Sequence, residues 1–226
     1  MTAFERFVSG RPAPFATAGE RPWKDALAAQ LRTATPDRAA GFIELDFAVA
    51  PAVGYARGAD LDNFCEPVFS VVANRIGWFG GSRPNIRAFR ARKRLADETG
   101  CRILITANRW DGTWVDGIEL LNDVAPGLLP MSARDEPFAG WVAGTMVRPA
   151  GLTKDVGVEL RFPGPINLGD IATGRIKNII DCLYPVLGGA PGKPNDARVT
   201  VLEATKLDHR VTGAVHVRVV EVAPHG

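Results

Sequence analysis

Apolar residues recur along this chain at two distinct periods. Trp23, Leu27, Ala28 and Leu31 are three or four positions apart and predict a helix over 23–32. Ile43, Leu45 and Phe47 alternate with other residues and predict a strand over 42–50. The segment 63–79, NFCEPVFSVVANRIGWF, reads as a helix with Pro67 near its start, where a missing N–H costs least. GGSRP then breaks it. NIRAFRARKR, residues 85–94, fits either a strand or a helix with one basic face, and CRILITA is a short strand. Residues 1–22, rich in Pro, Gly and Ala, read as an arm. Residues 107–150, including DGIELLNDVAPGLLPM, read as an inserted helix plus a connecting loop, with no partner in the second half.

The pattern then restarts. GFIELDF (41–47) and VGVELRF (156–162) share Glu, Leu and Phe at an offset of 115, and Asn63 and Asn178 keep that offset. RGADLDN (57–63) and TGRIKN (173–178) also share a glycine, with Gly58 one position off Gly174. The following helices, FCEPVFSVV and IIDCLYPVL, match in apolar pattern, including an aromatic at Phe69 and Tyr184. Gly-rich loops come next, then RAFRARK and TVLEATK, both ending in Lys, then CRILIT and AVHVRVVEV. These blocks in register predict an α+β protein built as two tandem mixed sheet/helix units in a pseudo-dimer. The expected division is an N-terminal arm and helix over 1–40, a first unit over 41–106, an insert or linker over 107–155 and a second unit over 156–226.

Composition narrows the function. Of 226 residues, 46% are hydrophobic and 23% charged, an ordinary globular balance with a net charge of +2. The charge is uneven: residues 1–113 hold 16 Lys+Arg against 12 Asp+Glu, and the rest hold 11 against 13. Cys65, Cys101 and Cys182 are odd in number and widely spaced, which argues against a disulfide framework and a zinc knuckle. No run reaches the ~18 apolar residues of a membrane span, and the opening MTAFERFVSGRPAP lacks the apolar region of a signal peptide. The expected location is the cytoplasm. No P-loop, G-x-G-x-x-G, G-x-S-x-G or H-E-x-x-H occurs.

Two constellations can carry chemistry. Asp60-Leu61-Asp62-Asn63 places two carboxylates just before a helix. They can share one Mg²⁺, a hard ion that takes oxygen ligands, or they can cap the helix. Glu66, one turn on, is a third candidate ligand, against a solvated helix face. The second constellation is Arg83, Arg87, Arg90, Arg92, Lys93 and Arg94, twelve residues without an acid. Such a run fits phosphate contacts to nucleic acid, a solvated basic face, or ion pairs with acids elsewhere. The tryptophans Trp78, Trp110, Trp114 and Trp141 fit either base stacking or core packing.

The order strand, loop, D-x-D-N, helix, loop, strand ending in Lys, turn, strand resembles the RusA-type Holliday-junction resolvase family. The resemblance rests on Asp60, Asp62, Asn63 and KRLADETGCRILI (93–105); it covers most of 41–105, with a weaker copy over 156–222. It implies two RusA-like units, a Mg²⁺-dependent endonuclease acting on branched DNA, Asp60 and Asp62 as catalytic metal ligands, and further self-association. The chain departs from the family in three ways. The acidic pair before the Lys-ending strand is Ser82-Arg83-Pro84-Asn85 in the first half and Pro194-Asn195-Asp196 in the second. Asp60 and Asp62 become Arg175 and Lys177 in the second half. The lysine common three residues past the motif Asn is Glu66 or Asp181. A full acidic set would therefore join Asp60 and Asp62 to Asp196, whose plainer reading is a turn residue. Arg175 and Lys177 would extend the basic surface or pair with Asp60 and Asp62. The other reading is a catalytically degenerate DNA- or protein-binding module.

Overall fold

The computed structural model describes residues 3–34, 41–50, 59–127, 129–207 and 214–222. Arg57, Gly58 and the loop containing Pro51 and Gly54 lie outside them, as does most of the turn before the first predicted strand. The molecule is mixed α+β. In chain order its main elements are β1 (Phe4–Ser9), α1 (Glu20–Leu31), β2 (Phe42–Val49), α2 (Leu61–Phe69), β3 (Ala88–Leu95), β4 (Gly100–Thr106), β5 (Gly117–Val124), α3 (Glu136–Thr145), β6 (Val156–Phe162), α4 (Arg175–Cys182), α5 (Tyr184–Leu187), a small hairpin β7 (Gly189–Ala190) and β8 (Lys193–Pro194), β9 (Val199–Lys206) and β10 (His216–Val222).

Among the described residues, eight strands form one sheet in the order β1-β4-β2-β3-β9-β6-β10-β5. The β2–β3 and β6–β9 pairs are parallel and each brackets a helix; the other pairs are antiparallel. Outward from the central β3–β9 pair, the order is β2, β4, β1 on one side and β6, β10, β5 on the other. The connectivity is thus symmetric about that pair. NIRAFRARKR resolves as strand β3, because Phe89 and Ala91 must meet the helices while Arg90 and Arg92 face the other way.

Both sheet edges come from segments without a readable strand pattern. In β1, Val8 is fully buried while Glu5, Arg6 and Phe7 are exposed, as suits an edge strand. In β5 a bulge opposite Val219 and Val220 leaves Leu120 outside the pairing. Leu120 and Leu121 are both fully buried as a result, although they are neighbours. One extra residue breaks the period of two that marks a strand. Residues 107–150 therefore supply an edge strand as well as helix α3, in the positions that mirror β1 and α1.

Helices pack on one face of the sheet. Phe47 of β2 meets Phe64 of α2 with ring centroids 5.5 Å apart, and Phe69 meets Phe89 of β3 at 5.2 Å. Pro67 sits inside α2. It has no N–H to give the Asn63 carbonyl, and that carbonyl accepts from Phe15 N–H instead, at 2.8 Å. The proline thus frees an acceptor that ties down the N-terminal segment. The helix continues as a π-helical turn over Ser70–Arg75.

The opposite face is polar at its centre. Glu44, Arg90, Glu203, Glu159 and Arg218 stand in register across β2, β3, β9, β6 and β10. The loop before β5 covers this row. Arg90 lies 4.7 Å from the Trp110 ring and 4.3 Å from the Trp114 ring, and Glu203 accepts from the Trp114 backbone N–H. The remaining tryptophans of interest pack internally: Trp78 donates to the Ala34 carbonyl and Trp141 meets Phe138 at 5.2 Å. Cys65, Cys101 and Cys182 are buried free thiols. No helix among the described residues is long and apolar enough to cross a membrane.

Candidate metal centre

Asp60 is the N-cap of α2, with extended backbone, yet its carboxylate makes no capping hydrogen bond. It accepts instead from the Asn63 side-chain amide at 2.9 Å. That contact accounts for Asn at the end of the motif: it turns the Asp60 carboxylate away from the helix and holds it. Asp62, in the first turn of α2, is only 2% exposed. Asp196 arrives from the other side of the sheet's centre, in a short 3-10 turn just before β9, and is also buried. One carboxylate oxygen from each of Asp60, Asp62 and Asp196 lies within 4.8 Å of the others. The acids that are far apart in sequence are brought together because β3 and β9 are neighbours, which sets the turn before β9 against the start of α2.

Lys177, in the first turn of α4, reaches into this cluster. Its ammonium lies 2.6 Å from Asp196, 3.1 Å from Asp181, and 3.5 Å from both Asp60 and Asp62. Lys93, at the end of β3, is buried nearby and donates to the Ala59 carbonyl at 2.7 Å and the Ala197 carbonyl at 2.5 Å. Arg175 turns elsewhere, donating to the Pro130 carbonyl at 3.1 Å. Four carboxylates, those of Asp60, Asp62, Asp181 and Asp196, thus gather about the Lys177 ammonium, with Lys93 nearby.

Burial dominates the electrostatics of the cluster. Burial pushes the Asp62 carboxyl up to about 7; Lys177 opposes this, and Asp60, Asp196 and Asp181 add to it. Asp60 is raised by burial and by Asp196, against the pull of Lys177. Burial also lifts Asp181. Burial lowers Lys93 to about 8 even though the acids favour its charged form. For Lys177, burial is again unfavourable to charge, but Asp62, Asp196 and Asp181 outweigh it and hold its pKa above the ordinary value. Asp62 Oδ2 is buried without a hydrogen-bond partner.

Beside the acids opens a cavity of about 550 Å³. Lys93 lines it, as do Arg94, Lys154, Arg198 and Asp155. Ala197, which follows Asp196, also forms part of its wall, while Asp60, Asp62, Asp181 and Asp196 do not line it. Arg198 is occupied with the carbonyls of Leu187, Gly151 and Lys154.

The remaining residues singled out from the sequence are placed as follows. Glu66 is outside the triad: Arg83 donates to it at 2.6 Å and also to the Gly169 carbonyl at 2.9 Å. Arg90 is buried and bonded to Glu44 at 2.6 Å. Arg92 and Arg94 both bond Asp46, at 2.6 and 3.1 Å, with Arg94 half-exposed. Arg87 is exposed. Most of the basic run is therefore engaged within the protein, chiefly with the acids of β2, because β2 and β3 pair in parallel with Glu44 beside Arg90 and Asp46 beside Arg92. Sequence reasoning missed Asp181 as a member of the cluster and Lys154 at the cavity. The spacing of Lys177 and Asp181, one helical turn, is the signal that could have found the first.

Comparison with known proteins adds little to this geometry. No family model matches the chain, and no curated protein matches it. Five chains among the solved structures do, one of them in a crystal structure of cyanuric acid hydrolase from A. caulinodans. That match is 12% identical, covers 97% of this chain and 71% of the other, and has a TM-score of 0.27, too low for any conclusion about fold or function.

Proposed function

We propose that this chain is a divalent-cation-dependent endonuclease for structured DNA, with one composite centre made by Asp60, Asp62 and Asp196. The observation that carries the reading is the triad itself: three carboxylate oxygens within 4.8 Å, in a buried cluster whose acids outnumber its ammonium groups. The donor set is all oxygen, which suits a hard ion such as Mg²⁺. Asp62 Oδ2 makes no hydrogen bond and has the Lys177 ammonium 3.5 Å away, so it keeps lone pairs that such an ion would take. When bound, a divalent cation supplies Lewis acidity at a phosphoryl oxygen and favours hydrolysis of a phosphodiester.

The chain's own residues have definable parts in this reading. Asn63 orients Asp60, and Lys177 supplies part of the charge that lets three carboxylates approach one another. The exposed cations of the neighbouring cavity, Arg94 and Lys154, suit the phosphates of a DNA backbone. Two features give further support: the element order around Asp60 and Asp62, on which the resemblance to RusA-type resolvases rests, and the raised pKa of Asp62, of a kind that collects at functional sites.

One observation favours a second reading. Lys177 already sits among the acids, so the cluster can be a closed ion network in a non-cleaving module that binds DNA or a protein. Cleavage of a labelled four-way junction with and without Mg²⁺, comparing the wild type with Asp62→Asn, separates the two. Metal-dependent cutting that disappears in the variant supports the endonuclease. Salt-sensitive binding without cutting establishes the second reading.

A further inference from the structure

Lys93 is 8% exposed, and its ammonium carries three N–H donors. Two of them are used, on the carbonyls of Ala59 and Ala197. Both partners are neutral. Among the described residues no carboxylate forms an ion pair with Lys93; Asp60, Asp155, Asp62 and Asp196 act on it only through space. A lysine buried this deeply is rarely left without a counter-ion. Lys93 also lines the cavity of about 550 Å³, which has the size of a small-molecule site. One donor, and a charge without an ion-pair partner, are therefore left over at the wall of that cavity.

The rest of the wall sets the class of ligand. Lys154, Arg94 and Arg198 line the cavity together with Lys93, against the carboxylate of Asp155. Arg94 is shared with Asp46 at 3.1 Å. Arg198 donates to the carbonyls of Leu187, Gly151 and Lys154, which pins the 151–154 loop and keeps Lys154 at the cavity. The exposed Lys154 ammonium makes no hydrogen bond or ion pair among the described residues. Thr153 and Thr200 add hydroxyls. Leu95 and Leu152, 50% and 91% exposed, add an apolar edge. The excess of positive charge favours an anion with more than one negative charge, and the apolar edge favours one that carries an organic group.

From this we infer that the cavity binds a small phosphate monoester, with its phosphate between Lys93 and Lys154 and its organic group against Leu95 and Leu152. A monoester phosphate carries about two negative charges near neutral pH and offers three acceptor oxygens. It also has a free end, which can reach a buried ammonium. A backbone diester carries a single charge and continues on both sides, so it suits the exposed cations better than Lys93. None of Asp60, Asp62, Asp181 and Asp196 lines the cavity, so this site stands apart from the acidic centre and from the endonuclease reading.

The test is isothermal titration calorimetry on the full-length protein in chelator, with inorganic phosphate, phenyl phosphate and acetate as probes. Saturable binding of phosphate is expected, tighter for phenyl phosphate and much weaker for acetate. Lys93→Gln should abolish it. That variant also disturbs two carbonyl contacts, so Lys154→Gln, at an exposed position, carries the test should Lys93→Gln fail to fold. Lys154→Gln should weaken both phosphate probes by about tenfold, the loss of one charge-assisted hydrogen bond. Three results would each overturn the site: no saturable binding of either phosphate probe at millimolar concentrations, acetate binding as tightly as phosphate, or unchanged affinities in Lys154→Gln. Binding of a 5′-phosphorylated oligonucleotide but of neither small phosphate probe would also overturn it, in favour of a DNA end. Because the titration uses neither metal nor DNA cleavage, its failure leaves the endonuclease reading untouched, and failure to cut a junction leaves this site untouched.

Discussion

Arg90 on β3 stands directly opposite Glu203 on β9, at the point about which the strand order of the whole sheet is symmetric. Symmetric positions in a true duplicate would carry the same residue, and an Arg facing an Arg at a buried position would be repulsive. Opposite charges at these two positions attract across the axis, flanked by Glu44 on one side and Glu159 on the other. The Trp110 and Trp114 rings close over Arg90, so the row is shielded from water and its electrostatics are correspondingly strong.

Arg90→Ala should therefore be costly. It leaves Glu44, 6% exposed, without its 2.6 Å partner and removes the cation between two indoles. A loss of roughly 3–5 kcal/mol is expected for breaking a buried pair from one side. Urea denaturation followed by tryptophan fluorescence reads it, and a loss below about 1 kcal/mol would mean that water reaches the row and relieves Glu44.

The Asp62 carboxyl makes the metal-free protein sensitive to pH. Its folded pKa of about 7 lies above the ordinary 3.8, so between these values the folded state holds a proton that the unfolded state has released. Stability from this group is greatest below the lower value and is lost as pH rises through about 7. Asp62→Asn removes the ionisation and should flatten this part of the profile. Thermal melts from pH 5 to 8 in chelator provide the comparison, and parallel profiles for the two proteins would show that Asp62 does not titrate in this range.

Lys177→Met distinguishes a metal centre from a closed ion network. Without its ammonium, the four acids repel and the protein loses stability in chelator. If the triad takes a divalent ion, added Mg²⁺ restores the melting temperature; at a hundred times its Kd it contributes ~2.7 kcal/mol. A variant equally unstable with and without Mg²⁺ would support the network alone.

Gly117 opens β5 with φ +148, and a Cβ there would collide with the Glu221 carbonyl of β10. Gly117→Ala should detach the edge strand at that end and cost on the order of 1–3 kcal/mol. Hydrogen exchange is the readout: faster exchange across 117–124, with β2 and β3 unchanged, is expected, whereas unchanged protection of β5 would show that the edge can shift to accommodate the methyl.

Much of this protein is legible in its sequence because the signals are local. The period-two run Ile43, Leu45, Phe47 defines β2, and the helical spacing of Trp23, Leu27, Ala28 and Leu31 defines most of α1; these side chains are all nearly fully buried. Asp60, Asp62 and Asn63 mark the start of α2 and a place for chemistry. Other features depend on contacts that no local pattern encodes. The bulge at Leu120 hides β5, and β1 hides behind the exposed residues of an edge strand. The arginine run reads as a surface for phosphates until β2 pairs with β3 and places Glu44 and Asp46 beside it. The resemblance offers Asp196 and Lys177 as partners for Asp60 and Asp62 among other readings, but their meeting is decided by the tertiary structure, because residues more than 100 positions apart approach only after the two sides of the sheet join. The sequence by itself determined which acids and bases are available and which elements carry them. The pairing of β3 with β9 decided which of those charges neutralise one another and which are left over, since an ionic interaction depends on distance and burial, and both are set only when the sheet closes.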